Sequence, residues 1–358
     1  AGGAGALTTG AGIPVVVAVN GGTTAPNAFQ LANTPVVGGF EYTLDRDPAN
    51  QDWYLTSAPA STYANIQSSV TALARSQFAQ MVTGRLLSSL LLGANQQING
   101  CSCGGGFGSV GSFGLGANGR WSLSDRLSLL AGASYDQFSA QGADVTNAPI
   151  VAASLRYDLA DWGRSRPFFE LGAAVSPYMT VNYSRSYANG FVTSTGDGSA
   201  IDRSAAVFGR VGWVDRFTPI DEGAVLVDLV RGWQQDGGYS EPVTAVNPFA
   251  ATLSSGVDSQ YVARFGAQYT HLFFDRVEAN VNAALAYGFD NRFGSQVYVI
   301  DFGPVAPYPL LNSAWAEFGG RLAYRFSQHL VADAFLLGTV GGEAGRTIHV
   351  GLGVRYAF

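Results

Sequence analysis

The chain has 358 residues, 47% of them hydrophobic and only 13% charged, with 46 glycines and a net charge of −6. An average soluble domain carries about 25% charged residues, so this chain has about half the usual means of staying solvated, yet it is too apolar to be disordered. No stretch approaches the ~20 uninterrupted apolar residues of a membrane-spanning helix, because the strongest run, Leu86–Leu92, is cut by Ser88 and Ser89.

Hydrophobicity that is high overall but nowhere concentrated excludes a helical membrane protein and argues against an ordinary soluble enzyme. All 20 basic residues are arginines, scattered along a chain of pI about 5.0, so nothing offers nucleic acid a basic patch. A basic leader with an apolar core is absent at Ala1. An exported protein would therefore be numbered from a processed or truncated start.

Residues 1–57 are rich in Gly, Thr, Ala and Asn, with short β-like runs at Ile13–Val19, Ala28–Leu31 and Phe40–Leu44. Such rungs suit the end of a β-solenoid or a small sandwich and cannot bury a core alone. Residues 58–87 hold a linker and one helix over about 61–86, capped by Ser61 or Thr62. Ile66, Val70, Leu73, Gln77 and Met81 recur along it at helical spacing.

From about residue 88 to 358 the chain alternates with period 2. Ile348, Val350, Leu352, Val354, Tyr356 and Phe358 point one way; His349, Gly351, Gly353, Arg355 and Ala357 point the other. Val277–Asp290, Ala316–Phe326 and Val151–Asp158 repeat the pattern, with one apolar face and one face of Gly, Asn, Arg and acids. That is the signature of a transmembrane β-barrel with a lipid-facing outside and a polar lumen. Tight connections near 124–125, 161–166, 219–223, 275–276 and 328–329 take turns with loose ones. The loose ones lie near 101–106, 141–147, 189–199, 234–258, 290–313 and 341–345. A soluble sandwich has no reason to sort its loops this way. Eleven strands follow from Phe107 onward, and even closure asks for a twelfth around Leu90–Gly100. Strand parity then brings the helix from outside to inside, down the lumen.

Charges facing lipid cost ~2–4 kcal/mol for arginine near the midplane. The inward phase therefore takes Arg120, Arg156, Arg210, Arg264, Arg321, Arg325 and Arg355, with Asp136, Asp158, Glu170, Glu278 and Glu317. Arg75 on the helix is expected to meet an acidic wall residue, and Arg85 to lie near the periplasmic mouth. The alternative is that these charges only line solvated walls.

The order of these features resembles the monomeric autotransporters of the type V secretion pathway, over essentially the whole chain. Thr8–Thr24 and Phe29–Leu31 look like the last rungs of a passenger β-helix. Phe40–Arg46 with Asp52–Leu55 resembles the stability-conferring end of such passengers, and a helix with a barrel ending in Phe358 is similar to the family's translocator domain. The resemblance implies an outer-membrane protein among outer-membrane lipids and lipopolysaccharide. It also implies export and anchoring of the chain's own passenger, a helix left in the pore, and insertion by the barrel assembly machinery. Gly353, Tyr356 and Phe358 match the family's carboxy-terminal assembly signal, while Leu352 stands where a polar residue is common. Aromatics on an unpaired edge strand suit β-augmentation; they also suit the interfacial girdle.

No chemistry-bearing motif competes. Two G-x-G-x-x-G matches, from Gly106 and from Gly114, open no helix. Cys101 and Cys103 form a local disulfide or remain two thiols, and with three scattered histidines make no zinc site. No metal, cofactor or catalytic residue is expected; self-cleavage at Asn65, the one asparagine well inside the helix, has no supporting motif. The rival readings are a small diffusion channel and a surface adhesin.

Overall fold

The computed structural model describes residues 8–32, 35–37, 40–59, 65–72, 105–109, 112–140, 142–159, 162–189, 192–306, 312–327, 330–342 and 346–356. The head contains β1 (Ile13–Val16), β2 (Val36–Val37), β3 (Phe40–Arg46) and β4 (Trp53–Pro59). They pair antiparallel in the order β1-β4-β3-β2, so these are not the parallel rungs of a solenoid. The reason is a hairpin turn: Gln51, at φ +69°, and the Asp47 backbone bonds to Gln51 and Asp52 fold β4 back on β3. The run Ala28–Leu31 forms no strand. Trp53 anchors the head, buried, donating its Nε1–H to Thr24 at 2.9 Å and meeting Phe29 edge-on at 5.5 Å. The other face of β1 and its extension leaves Ile13, Val15, Val17 and Val19 exposed. The helix α1 is described over 65–72.

The barrel follows. Its strands are β5 (Gly105–Ser109), β6 (Ser112–Ser122), β7 (Leu127–Ala140), β8 (Ala143–Asp158), β9 (Ser165–Asn189) and β10 (Val192–Arg216). After them come β11 (Asp221–Asp236), β14 (Gly256–Phe273), β15 (Val277–Arg292), β18 (Ser313–Arg325), β19 (Leu330–Val340) and β20 (Thr347–Tyr356). Among the described residues these twelve strands close, with β20 pairing β5. The alternation forms them because each face meets a different solvent. On β8, Val151 and Leu155 are 51% and 49% exposed, whereas Arg156 and Asp158, on the opposite phase, are 8% and 7% exposed. Charges inside and aliphatics outside is the inversion a lipid-bathed barrel requires.

Three predicted features move. The first described barrel strand is Gly105–Ser109, which takes part of the predicted outer loop at 101–106; the strand expected at Leu90–Gly100 lies outside the described residues. Of the predicted loops at 141–147 and 189–199, residues 143–147, 189 and 192–199 continue as strand, and β9 and β10 reach 25 residues each. A membrane span needs only about 9–11, so the hairpin projects well beyond the lipid belt. Its outer segment is polar because water, not lipid, bathes one face, and polarity there mimics a loop. Register shifts fall at Val145–Val151, Asp202–Ser204 and Ser259–Tyr261, where the strands leave the belt. Such bulges bend barrel rims. The two long outer connections build a second sheet, in the order β12-β13-β16-β17, from β12 (Tyr239–Ser240), β13 (Ala251–Leu253), β16 (Val297–Val299) and β17 (Gly303–Val305).

Inside the belt, aromatics lie over cross-strand glycines. Phe168 faces Gly212 and Phe208 faces Gly172, and a Cβ at either glycine would overlap the ring. Gly212→Ala is accordingly expected to cost about 1–3 kcal/mol by overpacking. A lowered midpoint in the heat-modifiable gel migration of the folded barrel checks this; an unchanged midpoint contradicts it.

Candidate functional site

Among the described residues the largest buried core is not in the membrane belt but at the outer mouth. Ile66 and Val70 of α1 are fully buried there among Val145 and Ile150 of β8, Met179, Val181, Tyr183 and Tyr187 of β9, Phe249 of the connection before β13, and Leu253, Val297 and Val299 of the loop sheet. Ile66 and Val70 lie four apart, one face of a helical turn, so the mouth grips the first two residues of the predicted stripe, whose others, Leu73, Gln77 and Met81, lie outside the described residues. Asn65 donates to the Ala188 carbonyl at 3.4 Å and Gln67 to the Ala306 carbonyl at 3.4 Å.

A buried ion pair locks this collar. Arg185 of β9 donates through Nε and Nη2 to both oxygens of Glu241, each at 2.7 Å, with both side chains almost wholly buried. Its Nη2 also reaches the Phe249 carbonyl at 2.6 Å and its Nη1 reaches Ser69 Oγ on α1 at 3.2 Å. Glu241 further accepts from Asn247 at 3.0 Å and from the Ala251 N–H at 2.9 Å. Gly196 is required opposite: a Cβ there would overlap the Glu241 carboxylate. The head joins the same assembly, with Phe40 stacked 6.3 Å from Phe302, whose ring meets Phe249 at 5.1 Å.

Beside the ion pair, above the membrane-spanning segment, Asp202, Asp236 and Asp258 are fully buried. Asp202 accepts from Tyr183, Gln234 and the Gly237 N–H; Asp236 accepts from Gln234 and Ser295; Asp258 accepts from the Gly294 N–H. Burial, then Asp258 and Asp202 close by, pushes Asp236 up to about 9. Burial pushes Asp258 up to about 7 and raises Asp202 as well. Asp236 is thus protonated at neutral pH and Asp258 partly so, because burial strips each carboxylate of water and the neighbouring carboxylates add repulsion.

Within the lumen, charges alternate across neighbouring strands. Glu170 of β9 meets Arg210 of β10 at 3.4 Å, Arg210 meets Asp228 of β11 at 2.7 Å, and Asp228 meets Arg264 of β14 at 2.9 Å. Arg264 then reaches Glu317 of β18, which also accepts from Trp315 at 3.0 Å. Arg156 pairs with Asp158 at 2.9 Å over the Phe168 ring, and Glu278 takes both Arg321 and Arg325. Thus Asp158, Glu170, Glu278, Glu317, Arg321 and Arg325 form belts of wall-to-wall pairs, a third arrangement beside plug contact and free solvation.

Gly353 and Tyr356 occupy the last strand opposite Asp333 and Leu330. The side chains of Arg120, Asp136 and Arg355 lie outside the described residues, as do Arg75, Arg85, Cys101, Cys103 and Phe358 entirely. Sequence reasoning missed Arg185, Glu241, Asp228 and the three collar aspartates. The only signal was Tyr183, Arg185 and Tyr187 on one phase, a strand pattern running past membrane length.

A family model, Autochaperone Domain Type 1, matches residues 1–44. The translocator domain of the autotransporter NalP from Neisseria meningitidis superposes with a TM-score of 0.55 at 14% identity, covering 80% of this chain and 99% of that one. The barrel thus has the fold of an autotransporter translocator domain, preceded by a head that matches an autochaperone domain. The fold is that of a bacterial outer-membrane barrel, with the head stacked through Phe40 on Phe302 of the long loops. The transport unit of AIDA-I from Escherichia coli also matches, at 15% identity over 80% of this chain and 99% of that one, with a TM-score of 0.41.

Proposed function

We propose that this unit carries its own amino-terminal passenger across the outer membrane and then holds it at the surface by closing the outer mouth around α1. The observation that carries the reading is the burial of Ile66, Val70 and Ser69 within the collar, tied to Arg185. A segment that had merely packed on the outside of a barrel would not be enclosed by strands from both the hairpin and the loop sheet. The lumenal belts support the same use: their charges are mutually satisfied, so the wall presents no strong single-sign field to a passing chain.

Residues 1–57 then serve as the passenger's folding end. The exposed row Ile13, Val15, Val17 and Val19 offers a seat for preceding β-structure, an edge that would otherwise invite aggregation. Residues 58–87 form the linker and pore helix, and 88–358 the translocator. Insertion by the barrel assembly machinery through Gly353, Tyr356 and Phe358, and contact with lipopolysaccharide, complete the reading.

Deleting residues 61–86 tests it. The barrel alone is expected to show steady large conductance in a planar bilayer, and the intact chain only small, brief openings. Equal large conductance with and without the segment would establish a diffusion channel instead.

A further inference from the structure

The lipid-facing side of β11 reads Val225, Val227 and Leu229, all exposed, and then turns to Arg231 and Trp233. An arginine on this phase marks the outer edge of the hydrocarbon, where its cost falls to about 0–1 kcal/mol. Arg231 is nevertheless not loose. Its guanidinium lies 4.1 Å from the Tyr261 ring and 5.6 Å from the Trp233 ring, and Nη2 donates to Ser259 at 2.8 Å. Nη1 approaches Asp290 at 3.4 Å, and Asp290 also accepts from Nε of Arg292 at 3.1 Å. Asp290 holds this place through a left-handed backbone, φ +51°, beside the bulge at Ser259–Tyr261. Below the cluster, Tyr261 stacks on Phe289 at 5.5 Å, and Tyr287 on Phe289 at 6.2 Å. Exposed Arg203 stands opposite Gln235, one pleat above Trp233.

We propose that Arg231 and Arg292, set around Asp290 on this aromatic shelf, bind the phosphate of a phosphorylated glycolipid headgroup in the outer leaflet. This rests on the outer-membrane reading above. Two guanidiniums against one carboxylate leave a net positive charge at headgroup depth. Arg292, 70% exposed, commits only Nε to Asp290, so both of its Nη groups remain to fork onto a phosphate. Asp290 and Ser259 act as positioning residues that fix the two forks before the lipid arrives. The apolar row Leu229, Phe265 and Leu285 beneath would take the acyl chains.

The test is native mass spectrometry of the full chain released from neutral detergent micelles. The micelles are doped with bis-phosphorylated lipid A, with the same lipid stripped of phosphate, or with phosphatidylglycerol. The wild type is expected to retain the phosphorylated glycolipid about tenfold better than the other two. Arg231→Gln with Arg292→Gln should erase that preference, and Arg292→Gln alone, at an exposed position that the fold does not need, should weaken it. Equal retention of the stripped lipid, or of phosphatidylglycerol, or an unchanged preference in the variants overturns the site. Heat-modifiable migration and outer-membrane fractionation are read in parallel. A barrel absent from the outer membrane overturns the translocator reading, whereas an inserted barrel without the preference overturns only the lipid site.

Discussion

Glu241→Ala is expected to destabilise the closed outer mouth by about 3–5 kcal/mol, the usual cost of stripping one partner from a buried ion pair. The cost arises on the partner left behind. Arg185 is 1% exposed and directs two nitrogens at the Glu241 carboxylate; without it the guanidinium keeps only the Phe249 carbonyl and Ser69 Oγ, plus the Tyr187 ring at 4.8 Å. A cation cannot be held there, so the collar must open to hydrate it. Opening releases α1, because Ser69 bonds the same guanidinium. Frequent large conductance steps in the Glu241→Ala protein, absent in the wild type, would report this, together with faster amide exchange at residues 65–72. Replacing the pair together, Arg185→Met with Glu241→Leu, should restore much of the closure, since apolar substitutes for a buried pair are often neutral. If the single variant stays closed, the ion pair does not hold the mouth.

Most of the barrel could be read from residue phase, because lipid and lumen impose opposite demands on successive side chains. Val281, Leu285 and Tyr287 are exposed while Glu278, Asn280 and Ala286 are buried, as period 2 along β15 requires. The phase also placed Asp158, Glu170, Glu278 and Glu317 inside, but could not pair them. Glu170 meets Arg210 and Asp228 meets Arg264 through strand register, which the sequence does not carry from one strand to the next. The collar was illegible for a different reason. Above the belt, one strand face meets water and the other a packed mouth, so polar outward residues such as Asn182, Ser184 and Ser186 read as a loop. Glu241 sits in a 19-residue connection between β11 and β14 with no periodicity to mark it. The head shows the same limit: Phe40–Arg46 and Trp53–Pro59 were visible as strands, but their antiparallel pairing depended on the turn at Gln51.

Raising the pH should loosen the same mouth through Asp236 and Asp258. Their folded values, about 9 and about 7, stand far above the ~3.9 of an unfolded aspartate, with burial as the first cause for both. A carboxyl raised in this way favours the closed state fully below the unfolded value and loses that contribution as pH climbs through the folded one. The closed mouth therefore holds protons that the open mouth releases, and stability falls by about 1.4 kcal/mol per pH unit for each such proton. The part of the loss due to Asp236 and Asp258 runs from about pH 4 to 9, shared by both up to about 7 and carried by Asp236 beyond, and Asp202, also raised, adds in the same direction. The groups that face the cluster do not reverse this sign. Tyr183 and Gln234 act as hydrogen-bond donors to Asp202, Ser295 donates to Asp236, and the Gly294 N–H donates to Asp258. The nearby Arg185 is already committed to Glu241. Asp236→Asn keeps an amide in place of the protonated carboxyl, in reach of Gln234 and Ser295 without titrating. Thermal midpoints of the collar, followed by amide exchange of β12, β13 and β16 from pH 5 to 9, are expected to drop steeply in the wild type. In Asp236→Asn the profile should flatten above pH 7. Equal slopes in the two proteins would mean that the three aspartates are relieved by something other than protons.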